Sequence, residues 1–137
     1  MRVLLADDQP QVRSALRLLL EQESDIQVVD EVSNAEDLLS HTQASVPDVL
    51  LLDWELPGLP TVGQLRALRQ GHPRLYIIAL SGKWGARRSA LAAGADAFVS
   101  KAEPSDRLLS TLRQVRQREE KSYGTLLVSL DGSKRNT

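Results

Sequence analysis

The chain has 137 residues, 42% of them hydrophobic, and a formal net charge of -1. This length and composition predict one soluble domain with a hydrophobic core. The absence of cysteine excludes disulfides, thiolate zinc sites and thiol nucleophiles, and the near-zero charge gives no general attraction to nucleic acid or anionic lipid. We expect a cytoplasmic protein, since no signal peptide precedes the first strand and no apolar run reaches the roughly 20 residues that cross a bilayer.

The first third of the chain predicts two strands and two helices. Arg2–Ala6 reads as a buried strand that ends at an acidic pair, and Pro10 suits the first turn of a helix. The apolar residues at helical spacing, which predict one core-facing stripe on this helix, are Val12, Ala15, Leu16, Leu19 and Leu20. A second strand is marked by Ile26, Val28 and Val29. Asn34 is a plausible N-cap of a second helix, which Pro47 would end.

The third strand is the centre of the pattern. Val49–Asp53 places four apolar residues directly before a carboxylate, and a turn follows at Pro57 and Gly58. A short run that is apolar at every position suits a strand covered on both faces, as in a parallel sheet. Asp53 would then lie at the carboxyl edge of the sheet, where open α/β folds bind ligands.

The remaining elements repeat the alternation of strand and helix. A third helix is outlined by Val62, Leu65 and Leu68, and it ends at Gly71. Residues 75–80 form an apolar fourth strand that ends at Ser81, and an alanine-rich helix over Ala86–Ala93 follows and stops at Gly94. Ala97–Ser100 is a fifth strand that ends at Lys101. The last predicted helix opens at Pro104 and carries Leu108, Leu112 and Val115 on one face.

Five repeats of strand and helix predict an α/β protein, with a doubly wound parallel sheet and helices on both faces. The groups that follow the strands would therefore meet at one edge of the sheet: Asp7, Asp8, Asp53, Ser81 and Lys101. Three carboxylates in one place repel one another unless a cation lies among them, and oxygen ligands that leave room for water suit magnesium. The nearby lysine and hydroxyl suit the arrival of a further anion.

These groups, in this order, resemble the receiver domain of two-component response regulators. The similarity spans about residues 2 to 118, and it implies a flavodoxin-like (βα)5 fold with strand order 2-1-3-4-5. The first helix and the second strand are similar to the branch with a C-terminal helix-turn-helix of the LuxR type. We expect residues 1–121 to form the receiver, with residues 122–137 as a tail or linker that could include a short strand at residues 126–128.

The resemblance implies a role for each site residue. Asp53 would accept a phosphoryl group from a phosphohistidine of a sensor histidine kinase, while Lys101 would pair with Asp53 and then with the phosphoryl group. The residues implied as ligands of Mg2+ are Asp7, Asp8, Asp53 and Glu55, with Asp7 acting mainly through bound water and Glu55 through its backbone carbonyl. Ser81 would donate its hydroxyl to a phosphoryl oxygen. Phe98 would be the switch aromatic, in place of the more common tyrosine.

The same resemblance implies a signalling domain that catalyses only its own phosphorylation and dephosphorylation. Phosphorylation would change the face of the fourth helix, fifth strand and fifth helix, which would control an output partner, most simply in transcription. A homodimer could form through that face or through the first and fifth helices. DNA would be bound only through an output domain of roughly 60 further residues, so we expect a stand-alone receiver or an excised N-terminal domain, with no membrane partner.

Two other functions fit parts of the pattern. A pseudo-receiver would keep the fold and bind partners without phosphorylation, although the intact acidic pair, Asp53 and Lys101 argue against it. A phosphatase of the haloacid-dehalogenase type would use a second carboxylate two residues after the nucleophile. Glu55 stands at that spacing, but the threonine expected after it is missing, and the turn at Pro57 follows instead.

Overall fold

A computed structural model of the protein describes residues 1–58 and 62–119. The strands are β1 (Arg2–Ala6), β2 (Gln27–Val32), β3 (Val49–Asp53), β4 (Tyr76–Ser81) and β5 (Ala97–Ser100). The helices are α1 (Pro10–Glu21), α2 (Leu38–Ser45), α3 (Val62–Gly71), α4 (Ala86–Ala93) and α5, which covers residues 105–119. The predicted strand at residues 126–128 lies outside the described residues. None of the described helices is both long enough and apolar enough to span a membrane.

The five strands form one parallel sheet in the order β2-β1-β3-β4-β5, which confirms the predicted fold. β3 lies at the centre, and all five of its residues are buried, as its unbroken apolar run predicts. Because Ala6 pairs with Leu52 and Ser81 pairs with Ser100, the residues that follow these strands lie at the same edge. This register places the functional groups together.

A continuous apolar cluster packs on the sheet. It includes Leu50 and Leu52 of β3, Leu65 and Leu68 of α3, and residues of α4. Trp54, the residue after Asp53, belongs to this cluster and is only 7% exposed. Trp54 lies in the turn that was predicted after β3, but the burial of its side chain in the core was not predicted.

The helix boundaries follow from the expected signals. Pro10 occupies the start of α1, where its missing N–H costs no hydrogen bond. α4 ends at Gly94, which has a φ of +117° in the left-handed region that glycine tolerates. α2 ends at Val46, which has a φ of 46° and precedes Pro47, a residue that disfavours continued helix before it.

Two helix predictions were wrong in part. Ala15 was placed on the core-facing stripe of α1 but is exposed, and Leu20 is the fully buried member of that stripe. Asn34 was predicted as the N-cap of α2. Its side chain does accept the Asp37 N–H at 3.0 Å, but this bond closes a turn that precedes Leu38, the first residue of α2.

Residues Met1–Ser105 form one compact unit, which contains the sheet and all the predicted site residues. A second unit begins at Asp106 and includes nearly all of α5. Its helical pattern was predicted correctly, since Leu108, Leu112 and Val115 are all buried.

Candidate functional site

Three carboxylates meet at the carboxyl edge of the sheet. Asp7 and Asp8 follow β1, Asp53 is the last residue of β3, and one carboxylate oxygen of each lies within 4.8 Å of the others. Asp7 and Asp53 are buried, whereas Asp8 is exposed. The parallel register of β1 and β3 produces this arrangement, because the residues after Ala6 and Leu52 lie level with each other.

Lys101 extends from the end of β5 into this group. Its Nζ lies 3.0 Å from Asp7 Oδ2 and 3.2 Å from Asp53 Oδ1. The lysine backbone is held in place because its N–H donates to the carbonyl of Ser81 at 2.8 Å. One ammonium group therefore bridges two buried carboxylates. The family resemblance implies the ion pair with Asp53, and the ion pair with Asp7 occurs in addition to it.

The site shifts the pKa values of its charged groups. Burial raises the pKa of Asp53 to about 6, although the N–H of Glu55, which donates to Asp53 Oδ1 at 3.0 Å, and the charge of Lys101 act to lower it. Partial burial acts to lower the pKa of Lys101, but Asp7 and Asp53 outweigh it, so this pKa is raised and the ammonium stays charged. The pocket thus has a fixed cation and a carboxyl that resists ionisation.

The hydroxyl of Ser81 donates to Glu55. Ser81 is fully buried at the end of β4, and its Oγ donates a hydrogen bond to Oε1 of Glu55. The same Oγ accepts the Lys83 N–H at 3.0 Å. Glu55 is an exposed residue, and its carboxylate thus lies over the end of the neighbouring strand.

A hydrogen bond also connects the residue after Asp53 with α4. Trp54 Nε1 donates to Ser89 Oγ at 3.2 Å, and the Ser89 hydroxyl donates to the Ala86 carbonyl at 3.0 Å. The indole of Trp54 gives the edge of β3 a direct contact with α4, which the sequence pattern did not reveal.

Phe98, the predicted switch aromatic, is partly buried and packs against the apolar cluster of the sheet.

Arg13 is another residue near the site that sequence reasoning missed. Its guanidinium donates to the Asp7 carbonyl at 2.6 Å and lies 3.3 Å from Glu31 of β2. It therefore ties α1 to the ends of two strands and fixes the backbone of the acidic pair. An arginine one turn after Pro10 looks like a solvated helix residue, so its spacing alone gives no signal.

The donor set suits a small divalent cation. Three carboxylate oxygens within 4.8 Å are hard ligands, and the exposure of Asp8 leaves an opening for water. The lysine prevents the buried acids from being left as unpaired charges. The combination of carboxylates, one ammonium and a nearby hydroxyl can hold a divalent cation together with an incoming anionic group such as a phosphoryl.

The chain is similar to known proteins. The family model for the response regulator receiver domain matches residues 3–113. The chain is 34% identical over 117 residues to the transcriptional activator protein ExaE of Pseudomonas putida, covering 84% of this chain and 55% of that protein. It is 35% identical over 115 residues to the nitrate/nitrite response regulator protein NarL of Escherichia coli strain K12, covering 82% and 53% respectively. The chain thus spans about half the length of these curated relatives.

A solved structure agrees with these relatives. The crystal structure of a LuxR-family two-component response regulator from Aurantimonas sp. SI85-9A1 superposes with a TM-score of 0.76 at 27% identity, covering 83% of each chain. The family match runs from β1 to α5, and it includes each of the strand ends that build the acidic pocket. On that basis this chain belongs to the response regulator receiver domain family.

Proposed function

We propose that this chain is a phosphoacceptor, in which Asp53 takes a phosphoryl group from a phosphohistidine of a sensor histidine kinase. The domain would catalyse only its own phosphorylation and dephosphorylation. The single observation that carries the proposal is the buried Asp53 carboxylate, which is 3% exposed and lies 3.2 Å from the ammonium of Lys101. A carboxylate in that position is able to attack phosphorus while a fixed positive charge faces the incoming oxygens.

In the proposed transfer, one carboxylate oxygen of Asp53 forms a bond to phosphorus as the P–N bond of phosphohistidine breaks. The electron pair of that bond goes to the imidazole nitrogen, and the neutral imidazole leaves once it carries one proton. Lys101, which already touches Asp53, would then pair with a phosphoryl oxygen. The product is an acyl phosphate, whose hydrolysis by water returns the carboxylate and inorganic phosphate.

Magnesium is the proposed cofactor. Asp7, Asp8 and Asp53 would hold it with the backbone carbonyl of Glu55, and it would supply positive charge against the phosphoryl oxygens. Asp8, the exposed acid, would be a direct ligand. Asp7 is already paired with Lys101 at 3.0 Å, which agrees with a role mainly through bound water.

The proposed switch begins at Ser81. After phosphorylation its hydroxyl would donate to a phosphoryl oxygen, which would move the loop between β4 and α4 and allow Phe98 to turn inward. The contact between Trp54 and Ser89 supports a route to α4, because it joins the residue next to Asp53 to that helix. The altered surface around α4 and β5 would then meet a partner.

The names and lengths of the relatives support a proposal for the process that this receiver controls. Their names describe a transcriptional activator and a nitrate/nitrite response regulator, and both are about twice as long as the region matched here. We infer control of transcription, with DNA bound through an output domain joined to the receiver rather than by the receiver itself. Self-association after phosphorylation is a further part of this proposal, and sedimentation with and without a phosphoryl analogue tests it.

Phosphorylation can be tested directly. The purified chain is incubated with acetyl phosphate and magnesium, and its intact mass is measured over time. We expect a gain of one phosphoryl group that is absent with a chelator and absent in Asp53→Asn. Asp106→Asn, which changes an exposed aspartate of α5, should behave as the wild type.

A chain with no mass gain, and no spectral response to beryllofluoride that depends on Asp53, would instead be a pseudo-receiver that binds partners without phosphate. Continuous turnover of small phosphate esters would point to a phosphatase. Neither result is compatible with a phosphoacceptor that catalyses only its own phosphorylation and dephosphorylation.

A further inference from the structure

We propose that the carboxylate of Glu55 is a positioning residue that holds the Ser81 hydroxyl away from Asp53 in the resting state. The phosphoryl group must then compete with Glu55 for this hydroxyl. This inference rests on the proposed phosphoacceptor function, and it assigns the Glu55 side chain a role separate from that of its backbone carbonyl. Glu55 would thus set how readily the switch changes state.

The hydrogen bonds of Ser81 carry the argument. A serine hydroxyl has a single proton to donate, and Ser81 donates it to Oε1 of Glu55. The oxygen also accepts the Lys83 N–H at 3.0 Å, which fixes its position. A bond from Ser81 to a phosphoryl oxygen can therefore form only after the bond to Glu55 breaks.

The position of Glu55 suits this competition. It lies two residues after the nucleophile, and its N–H donates to Asp53 Oδ1 at 3.0 Å. Its backbone therefore contacts the group to be phosphorylated, while its side chain contacts the hydroxyl that responds. The short stretch Asp53, Trp54 and Glu55 connects the reacting carboxylate to α4 through Ser89 and to β4 through Ser81.

The charge of Glu55 makes this bond a strong one. The Ser81 hydroxyl donates to the Glu55 carboxylate, and within the described residues no lysine, arginine or histidine forms an ion pair with that carboxylate. Hydrogen bonds to charged groups are stronger than neutral ones. An incoming phosphoryl group is also repelled by the negative charge of this carboxylate. Both the hydrogen bond and the repulsion favour the resting state, but only the hydrogen bond acts through Ser81.

Beryllofluoride with magnesium serves as the probe, and its affinity is measured by fluorescence or NMR titration. Glu55→Ala removes both the acceptor and the charge, so the affinity should rise about tenfold, given the usual strength of a charge-assisted bond. Glu55→Gln removes the charge but keeps a carbonyl that accepts the Ser81 proton. Glu55→Ala should therefore bind about two- to tenfold more tightly than Glu55→Gln, which is the range of a neutral hydrogen bond.

Pairing these variants with Ser81→Ala separates the two effects. In the Ser81→Ala background the difference between Glu55→Ala and Glu55→Gln should vanish, because no hydroxyl is left to hold. Glu36→Ala removes an exposed carboxylate elsewhere and should leave the affinity unchanged. Circular dichroism and denaturant midpoints confirm that each variant is folded before its affinity is compared.

The outcomes distinguish this proposal from the proposed function. If the wild type does not bind beryllofluoride in an Asp53-dependent way, the phosphoacceptor function itself fails. If the wild type binds but Glu55→Ala and Glu55→Gln have equal affinity, or their difference persists without the Ser81 hydroxyl, only the role of Glu55 is overturned. A lower affinity in Glu55→Ala than in the wild type would overturn it as well.

Discussion

Asp53 lies in surroundings that favour its neutral form, although its proposed chemistry needs the anion. Burial is the main cause, and Lys101 and the Glu55 N–H compensate only in part. Functional sites commonly hold ionisable groups in environments that reduce the stability of the fold, and a bound ligand can offset this loss. The surroundings of Asp53 therefore lower the stability of the fold when its carboxyl group is ionised, which is the form that the proposed chemistry needs.

This opposition predicts a pH-dependent gain in stability for Asp53→Asn. The folded-state pKa of about 6 exceeds the ordinary value of 3.8, so the contribution of Asp53 to stability is complete below 3.8 and is lost as the pH rises through 6. At pH 7.5 in a chelator, Asp53→Asn should raise the free energy of unfolding by up to about 3 kcal/mol. At pH 4 it should change little. Urea denaturation at both values measures this, and equal effects would contradict it.

Lys101 should matter for stability as well as for chemistry. Lys101→Ala leaves Asp7 and Asp53 without their cation, so unfolding in a chelator should require about 1 to 3 kcal/mol less at pH 7.5, since the lysine is partly exposed. Added magnesium should recover part of this loss. Lys83→Ala removes an exposed lysine of the loop between β4 and α4 and serves as the control. A loss of the same size in both variants would show that the ion pairs contribute nothing particular.

The residues of the acidic pocket could be predicted from the sequence, because the carboxyl ends of parallel strands meet at one edge of the sheet. Asp7, Asp8, Asp53 and Lys101 all lie where this rule puts them. The partner of Ser81 could not be predicted, since the choice between Glu55 and Asp53 depends on side-chain rotamers rather than on strand order. The indole contact of Trp54 with α4 is equally invisible, because a tryptophan after a strand is typical of both cores and surfaces.

At the scale of elements, the strands were predicted more accurately than the helices. β1, β3 and β5 have the predicted bounds, and in β3 the reason is that a strand buried on both faces has an unbroken run of apolar residues. α1 differs because helical spacing predicts a stripe but not its width, and Ala15 falls outside the buried part. α2 begins later than predicted, because Asn34 can cap a turn as readily as a helix.

Two glycines at helix ends should respond oppositely to alanine. Gly94 ends α4 with a φ of +117°, and Gly71 is the last residue of α3. An added Cβ would meet no atom within 4 Å at either position, so neither alanine would clash with a neighbouring residue. Gly94→Ala should lower the free energy of unfolding by about 1 kcal/mol or more through backbone strain. Gly71→Ala should raise it by up to about 1 kcal/mol. Thermal or urea unfolding decides, and changes of the same sign would refute the backbone explanation.

For the whole molecule, the acidic pocket predicts that magnesium stabilises the fold. A ligand that binds only the folded state at 100 times its Kd adds about 2.7 kcal/mol. Asp8→Asn should lose most of this gain, while stability in a chelator should stay the same or rise slightly, because Asp8 is exposed and its charge is repelled by two other carboxylates. Asp106→Asn should keep the gain. Equal stabilisation of all three proteins in a magnesium titration would place the cation elsewhere.

The two tryptophans differ in a way that makes the protein its own optical reporter. Trp54 is 7% exposed and adjoins Asp53, whereas Trp84 is 85% exposed. A soluble quencher such as iodide would therefore extinguish the emission of Trp84 and spare that of Trp54. Trp84→Phe leaves a single indole fluorophore one residue from Asp53, so occupancy of the pocket can be followed in real time without an attached dye.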